Sequence, residues 1–128
     1  MKFAAIGALA LLAMTSGAFA EDYVGGAIKT MEIGGNQVLT DANGMTLYTF
    51  DKDTPGVSNC YDDCAVKWPP LFAADDAKDE GEFTVVARKD GTKMWAHDGW
   101  PLYLWINDKA PGDTTGDMVG GVWHTATE

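Results

Sequence analysis

Apolar and polar positions alternate along this chain in short bursts, which is the period of strands rather than of helices. Gln37-Val38-Leu39-Thr40, then Asn43-Gly44, then Thr46-Leu47-Tyr48-Thr49-Phe50 reads as strand, tight turn and strand. The same order returns as Lys93 to Ala96, Asp98-Gly99 and Leu102 to Trp105. A third turn, Asp90-Gly91, separates Phe83–Arg88 from Lys93–Ala96. In each copy the Tyr and the aromatic two positions later share one sheet face, and the pattern assigns that face to the core. The stretch from Ser58 to Lys67 predicts a short helix. Ser58 is its expected N-cap, Asp62-Asp63 suit its first turn, and Trp68-Pro69-Pro70 ends it.

The pattern repeats because the sequence does. A shift of 55 residues lays Asn43-Gly44 on Asp98-Gly99 and Leu47-Tyr48 on Leu102-Tyr103. It also lays Phe50 on Trp105, Asp53 on Asp108 and Trp68 on Trp123, with no gap across that span. Each copy therefore carries Y-x-[FW]-x-x-D between a glycine turn and a later Trp. Asp53 and Asp108 follow their strands directly, where a carboxylate bonds its own turn or caps the next element. These eight positions (Tyr48, Phe50, Asp53, Trp68, Tyr103, Trp105, Asp108 and Trp123) are expected to be mainly structural. The expected fold is mainly β. Two pseudo-equivalent repeats of hairpins share one core, since neither buries enough alone, and one short helix carries the cysteines. Repeat one runs from about 37 to 72 and repeat two from about 83 to 126. An acidic connector over residues 73–82 lies between them.

The N-terminus has a different character. Lys2, an apolar run from Phe3 to Met14 and Ala18-Phe19-Ala20 have the form of a cleaved export signal over residues 1–20. The run is too short for a spanning helix, which needs about 20 residues. Of 128 residues, 108 then remain as a single domain, 21–128. Acids outnumber bases 19 to 9, and losing Lys2 takes the net charge from −10 to −11. So acidic a surface repels phosphate backbones and disfavours nucleic acid as a partner. These features predict a soluble periplasmic or secreted monomer.

The stretches Leu47-Tyr48-Thr49-Phe50-Asp51-Lys52-Asp53, Cys60-x3-Cys64-Ala65-x2-Trp68-Pro69-Pro70-Leu71 and Gly99-Trp100-Pro101-Leu102-Tyr103-Leu104-Trp105-x2-Asp108 resemble a bacterial family of secreted repeats of unknown function. Pro111-Gly112-Asp113 and Trp123-His124 extend the resemblance. The family is also described as predicted lipoproteins with a Y-x-[FWY]-x-x-D motif. The resemblance implies export and duplication, and it implies no activity. No Cys stands near the expected cleavage point, which departs from a lipoprotein and favours a soluble protein.

Candidate chemistry is sparse. Cys60 and Cys64 in an exported chain are a disulfide by default, with a redox pair and metal ligands as the other readings. Thr115 and Val119 take their places in repeat two, so the scaffold does not demand the bridge. Asp62 and Asp63 beside the cysteines would raise a thiol pKa and work against a redox enzyme. Ser58 is the single serine after residue 20, and phosphate-loop, dinucleotide and G-x-S-x-G patterns are missing. No cofactor and no catalysis are expected. The first functional reading is a non-catalytic binding module whose partner is an envelope protein or small ligand. It calls for some tryptophans to form an exposed patch. The runner-up is a stress-protective periplasmic copper protein, in which His97, Met118 and His124 would converge.

Overall fold

The computed structural model describes residues 21–128. The expected export signal, residues 1–20, lies outside the described residues. Eight strands and one α-helix follow in order: β1 (Asp22–Tyr23), β2 (Ile28–Ile33), β3 (Asn36–Asp41), β4 (Tyr48–Phe50), α1 (Asp63–Lys67), β5 (Phe83–Ala87), β6 (Lys93–His97), β7 (Trp100–Pro101) and β8 (Trp123–Thr125). The chain is mainly β, and its two halves repeat one another. β2–β3 is the first hairpin, in register from Ile28↔Asp41 to Ile33↔Asn36. Its two-residue turn is Gly34-Gly35, both at positive φ, the composition this turn demands. β5–β6 is the second hairpin, from Phe83↔His97 to Ala87↔Lys93. Its turn is longer and begins at Arg88. Asp98-Gly99, both at positive φ, then reverses β6 into β7.

The expected hairpins change partners part-way. Asp41 and Met45 do close the loop around Asn43-Gly44, and Leu47 N–H still reaches Leu39 O. One residue later the strand leaves its own repeat. Tyr48–Phe50 pairs with Trp123–Thr125 of the other half. Correspondingly, Leu104 N–H bonds Pro69 O and Ile106 N–H bonds Lys67 O. The prolines at 69 and 70 have no N–H, so this second ladder survives only as scattered bonds. The ends of the exchanged strands reach the hairpins too: Leu39 N–H donates to Ala126 O, and Trp95 N–H to Leu71 O. At the centre Tyr48 and Tyr103 exchange both backbone bonds, at 2.8 and 2.9 Å. Each repeat thus completes the other's sheet.

The Leu-Tyr pair explains the two sides of the core. Consecutive residues of a strand face opposite ways. Leu47 and Leu102 are buried with Ile28, Leu39, Phe83 and Trp95. Tyr48 and Tyr103 are buried on the other side with Phe50, Trp68 and Trp123. The helix is shorter than expected. Cys60 stands before it and Cys64 within it, joined by a disulfide with Cα atoms 5.3 Å apart. Asp62, at φ 57°, breaks the helical path between them. Ser58 is not the N-cap, because its hydroxyl is drawn into the core instead.

Candidate functional site

The repeated motif builds a junction between halves. Tyr48 Oη donates to Asp108 Oδ2 at 2.7 Å, and Tyr103 Oη donates to Asp53 Oδ2 at 2.7 Å. The Tyr of each repeat therefore answers the Asp of the other. Each carboxylate also takes a loop amide, Asn59 N–H on Asp53 Oδ1 and Thr115 N–H on Asp108 Oδ1. Each aspartate so ties a loop amide, six residues on for Asp53 and seven for Asp108, to the tyrosine across the junction. Burial pushes both phenols well above their ordinary range, and the neighbouring carboxylates push the same way. Burial also raises the Asp53 carboxyl, against the Asn59 amide, the Tyr103 hydroxyl and the Arg88 charge.

The aromatics of the motif form one stack. Phe50 lies on Trp123 with centroids 4.2 Å apart, Trp123 on Trp68 at 3.8 Å, and Trp68 on Trp105 at 4.0 Å. Tyr48 meets Trp68 edge-on, and Tyr103 meets Trp123 edge-on. Gly116 passes so close that an added Cβ would sit 2.9 Å from both Trp68 and Tyr48. Trp68, Trp95 and Trp123 are buried, while Trp100 and Trp105 are half-buried. The exposed tryptophan patch expected with the first functional reading is therefore not formed. The rings go inward because stacked indoles bury large apolar area at the seam of the two halves.

Sequence reasoning missed Arg88. Its side chain is buried, with Nη1 donating to Ser58 Oγ at 2.7 Å and Nη2 to Cys60 O at 2.9 Å. The guanidinium lies 4.2 Å over the Tyr61 ring. Tyr103 gives its one proton to Asp53, so the Ser58 hydroxyl donates to Tyr103 Oη, at 2.6 Å. A directed chain runs from Arg88 through Ser58 and Tyr103 to Asp53. The only sequence signal was an arginine closing an apolar strand just before Asp90-Gly91, which looks like any surface turn.

The three metal candidates lie in separate surroundings. His97 Nε2 is 3.0 Å from Glu82 Oε1 and 3.8 Å from Asp98 Oδ2. His124 Nε2 is 2.8 Å from Asp51 Oδ2. Met118 is 58% exposed and begins the Val119–Gly121 3-10 turn. A carboxylate oxygen, rather than the Met118 sulfur, sits on each imidazole. One group of ligand-type side chains does gather. Glu82, His97 and Asp98 bring one ligating atom each to within 4.8 Å of one another. The register Phe83↔His97 causes this, by setting Glu82 beside Asp98, whose N–H bonds Glu82 O.

This group stands between two open depressions. One, of about 260 Å³, is lined by Thr49, Asp51, His97, Asp98, Trp100 and the chain end from Thr125. The other, of about 420 Å³, is lined by Tyr23, Glu80, Glu82 and Phe83. They share Asp98 and Glu128. Tyr23 Oη lies against the carboxylates of Glu21 and Glu128.

Neither a curated protein nor a solved structure matches the chain. Among the described residues no helix is long and apolar enough to cross a membrane. The profile of one family matches residues 29–72 and again residues 84–127, two spans 55 positions apart, as the internal shift is. They are the two halves that exchange strands, and the chain belongs to that family, described as a secreted repeat of unknown function.

Proposed function

We propose that this protein is a monomeric, non-catalytic binding module of the bacterial periplasm or cell exterior, and that its ligand enters the acidic hollow formed by the two joined depressions. One observation carries the reading. The repeated chemistry of the motif is consumed inside the molecule, whereas the carboxylates of Asp51, Glu82, Asp98 and Glu128 are exposed around the hollow. Trp100 and Tyr23, both half-buried, supply aromatic surface among them. Carboxylates interleaved with aromatic rings attract positive groups by charge and by cation–π contact. The fitting ligand is a cationic small molecule or a Lys/Arg-rich segment of an envelope protein. Ser58, the one serine after residue 20, is tied into the Arg88 chain, which supports a role without nucleophilic catalysis.

Amide NMR of the isotope-labelled exported protein, titrated with a Lys-rich peptide at low salt, tests this. Saturable shifts should cluster at Asp51, Glu82, Asp98, Trp100 and Thr127, and weaken as salt rises. Shifts spread evenly over the surface, or none, would reject the hollow as the binding face.

A further inference from the structure

The geometry points to a divalent metal site at Glu82, His97 and Asp98, of the kind that takes Zn²⁺ or Mn²⁺. It rests on the hollow being the ligand face and names one class of cation that enters it. The His97 ring is the fixed member: its side chain is 8% exposed and packs on Phe83 with centroids 4.9 Å apart. That packing holds Nε2 toward the hollow, where Glu82 Oε1 and Asp98 Oδ2 meet it. Zinc bonds imidazole and carboxylate at about 2.0–2.2 Å, which puts tetrahedral ligand atoms roughly 3.3 Å apart. The distances of 3.0 and 3.8 Å from Nε2 bracket that value. Glu82 and Asp98 are 67% and 63% exposed, so their carboxylates can rotate onto an ion while the imidazole stays put.

The backbone fixes the group as well. All three residues come from the open end of the β5–β6 hairpin, held by the Asp98–Glu82 backbone bond and the Asp98-Gly99 turn into β7. Three protein ligands in an open depression leave at least one coordination position facing solvent, the arrangement of a site that accepts a further ligand. One imidazole with two carboxylates favours zinc or manganese over the soft-ligand copper set.

The experiment is isothermal titration of Zn²⁺, then Mn²⁺, into chelator-treated, disulfide-closed exported protein, with native mass spectrometry for stoichiometry. One Zn²⁺ per chain is expected. Glu82→Gln and Asp98→Asn, both on the surface and compatible with folding, should each weaken it by about tenfold or more. His97→Gln should abolish it, and near-ultraviolet circular dichroism of the tryptophan stack reports whether that variant is folded. His124→Ala, outside the group, should bind like the parent. Absent binding, equal binding by Glu82→Gln and Asp98→Asn, or Mg²⁺ competing on equal terms with Zn²⁺ would overturn the site. Peptide-induced shifts that persist without any Zn²⁺ binding would sink the metal site and leave the hollow standing. Zn²⁺ binding without peptide shifts would keep the metal site and remove the cationic-ligand reading.

Discussion

Two tyrosine–aspartate junctions face one another across the centre of the molecule, and one motif makes both. The Tyr48–Asp108 junction is simple: a phenol, a carboxylate, the Gly116 amide at 3.1 Å and Thr115. The Tyr103–Asp53 junction has the same core but is built outward, through Ser58 to Arg88 and the carbonyl of Cys60. The disulfide and the buried guanidinium both belong to this second side. Its longer hairpin turn, from Arg88 to Thr92, makes room for the arginine. The other hairpin closes on Gly34-Gly35 with nothing to insert. The shared part joins the halves, and the added part stiffens the loop carrying the cysteines. Repeat two manages with Gly116 pressed against Trp68, a contact that needs no cross-link.

The largest expected effect tests the shared part. Trp68→Ala and Trp123→Ala should each destabilise the fold by about 3–5 kcal/mol, the range for deleting a large buried aromatic. Their urea midpoints should fall by similar amounts, because the two rings stack on each other at 3.8 Å and occupy equivalent places. A large loss in one and a small loss in the other would break the equivalence. The next effect separates the junctions. Tyr48→Phe should lower stability by about 1.5–3 kcal/mol, since it strips a buried carboxylate of its donor. Tyr103→Phe should lower it further, because the Ser58 hydroxyl loses its acceptor as well. Equal midpoints for the two variants would mean that the Arg88 chain adds nothing.

The smallest effect is in pH. Burial holds the Asp53 carboxyl above its ordinary value, so the native protein binds that proton more tightly than the unfolded chain does. The stability this contributes is fully present below the unfolded pKa and is lost as pH rises through the folded one. Asp53→Asn removes the dependence. The stability gap between parent and variant should therefore narrow between about pH 3 and about pH 6, the window around an aspartate's ordinary pKa. Chemical denaturation at several pH values measures it, and a gap that widens with pH would contradict the raised carboxyl.

The contrast also shows what sequence could carry. Shifting the chain by 55 residues exposed the duplication and the tyrosine, the aspartate and the stacked aromatics of each copy, because identical roles demand similar residues at one spacing. It left open which Tyr meets which Asp, since both repeats carry the same pair of residues. The exchange of Tyr48–Phe50 onto Trp123–Thr125 was invisible for the same reason: strand pairing leaves no mark on local pattern. The Gly34-Gly35 turn was legible as a two-residue hairpin signal and went unread. Ser58 looked like a helix cap because hydroxyls before acidic residues cap helices, and the unseen Arg88 decided otherwise. At the candidate site His97 was visible, but Glu82 joins it only through the register of the second hairpin. The structural role of Trp68, Trp105 and Trp123 was legible from their places in the repeat, but their stacking across the seam was not, because an indole suits a seam and a surface patch equally well.

The exchange of strands has a consequence for the order of events in export. A polypeptide that emerges from a membrane pore amino end first presents Tyr48–Phe50 long before Trp123–Thr125 can meet it. The first hairpin must wait for Ala126 and the first carboxylate for Tyr103. Folding cannot finish on either half in turn, and it completes only when nearly the last residue is through.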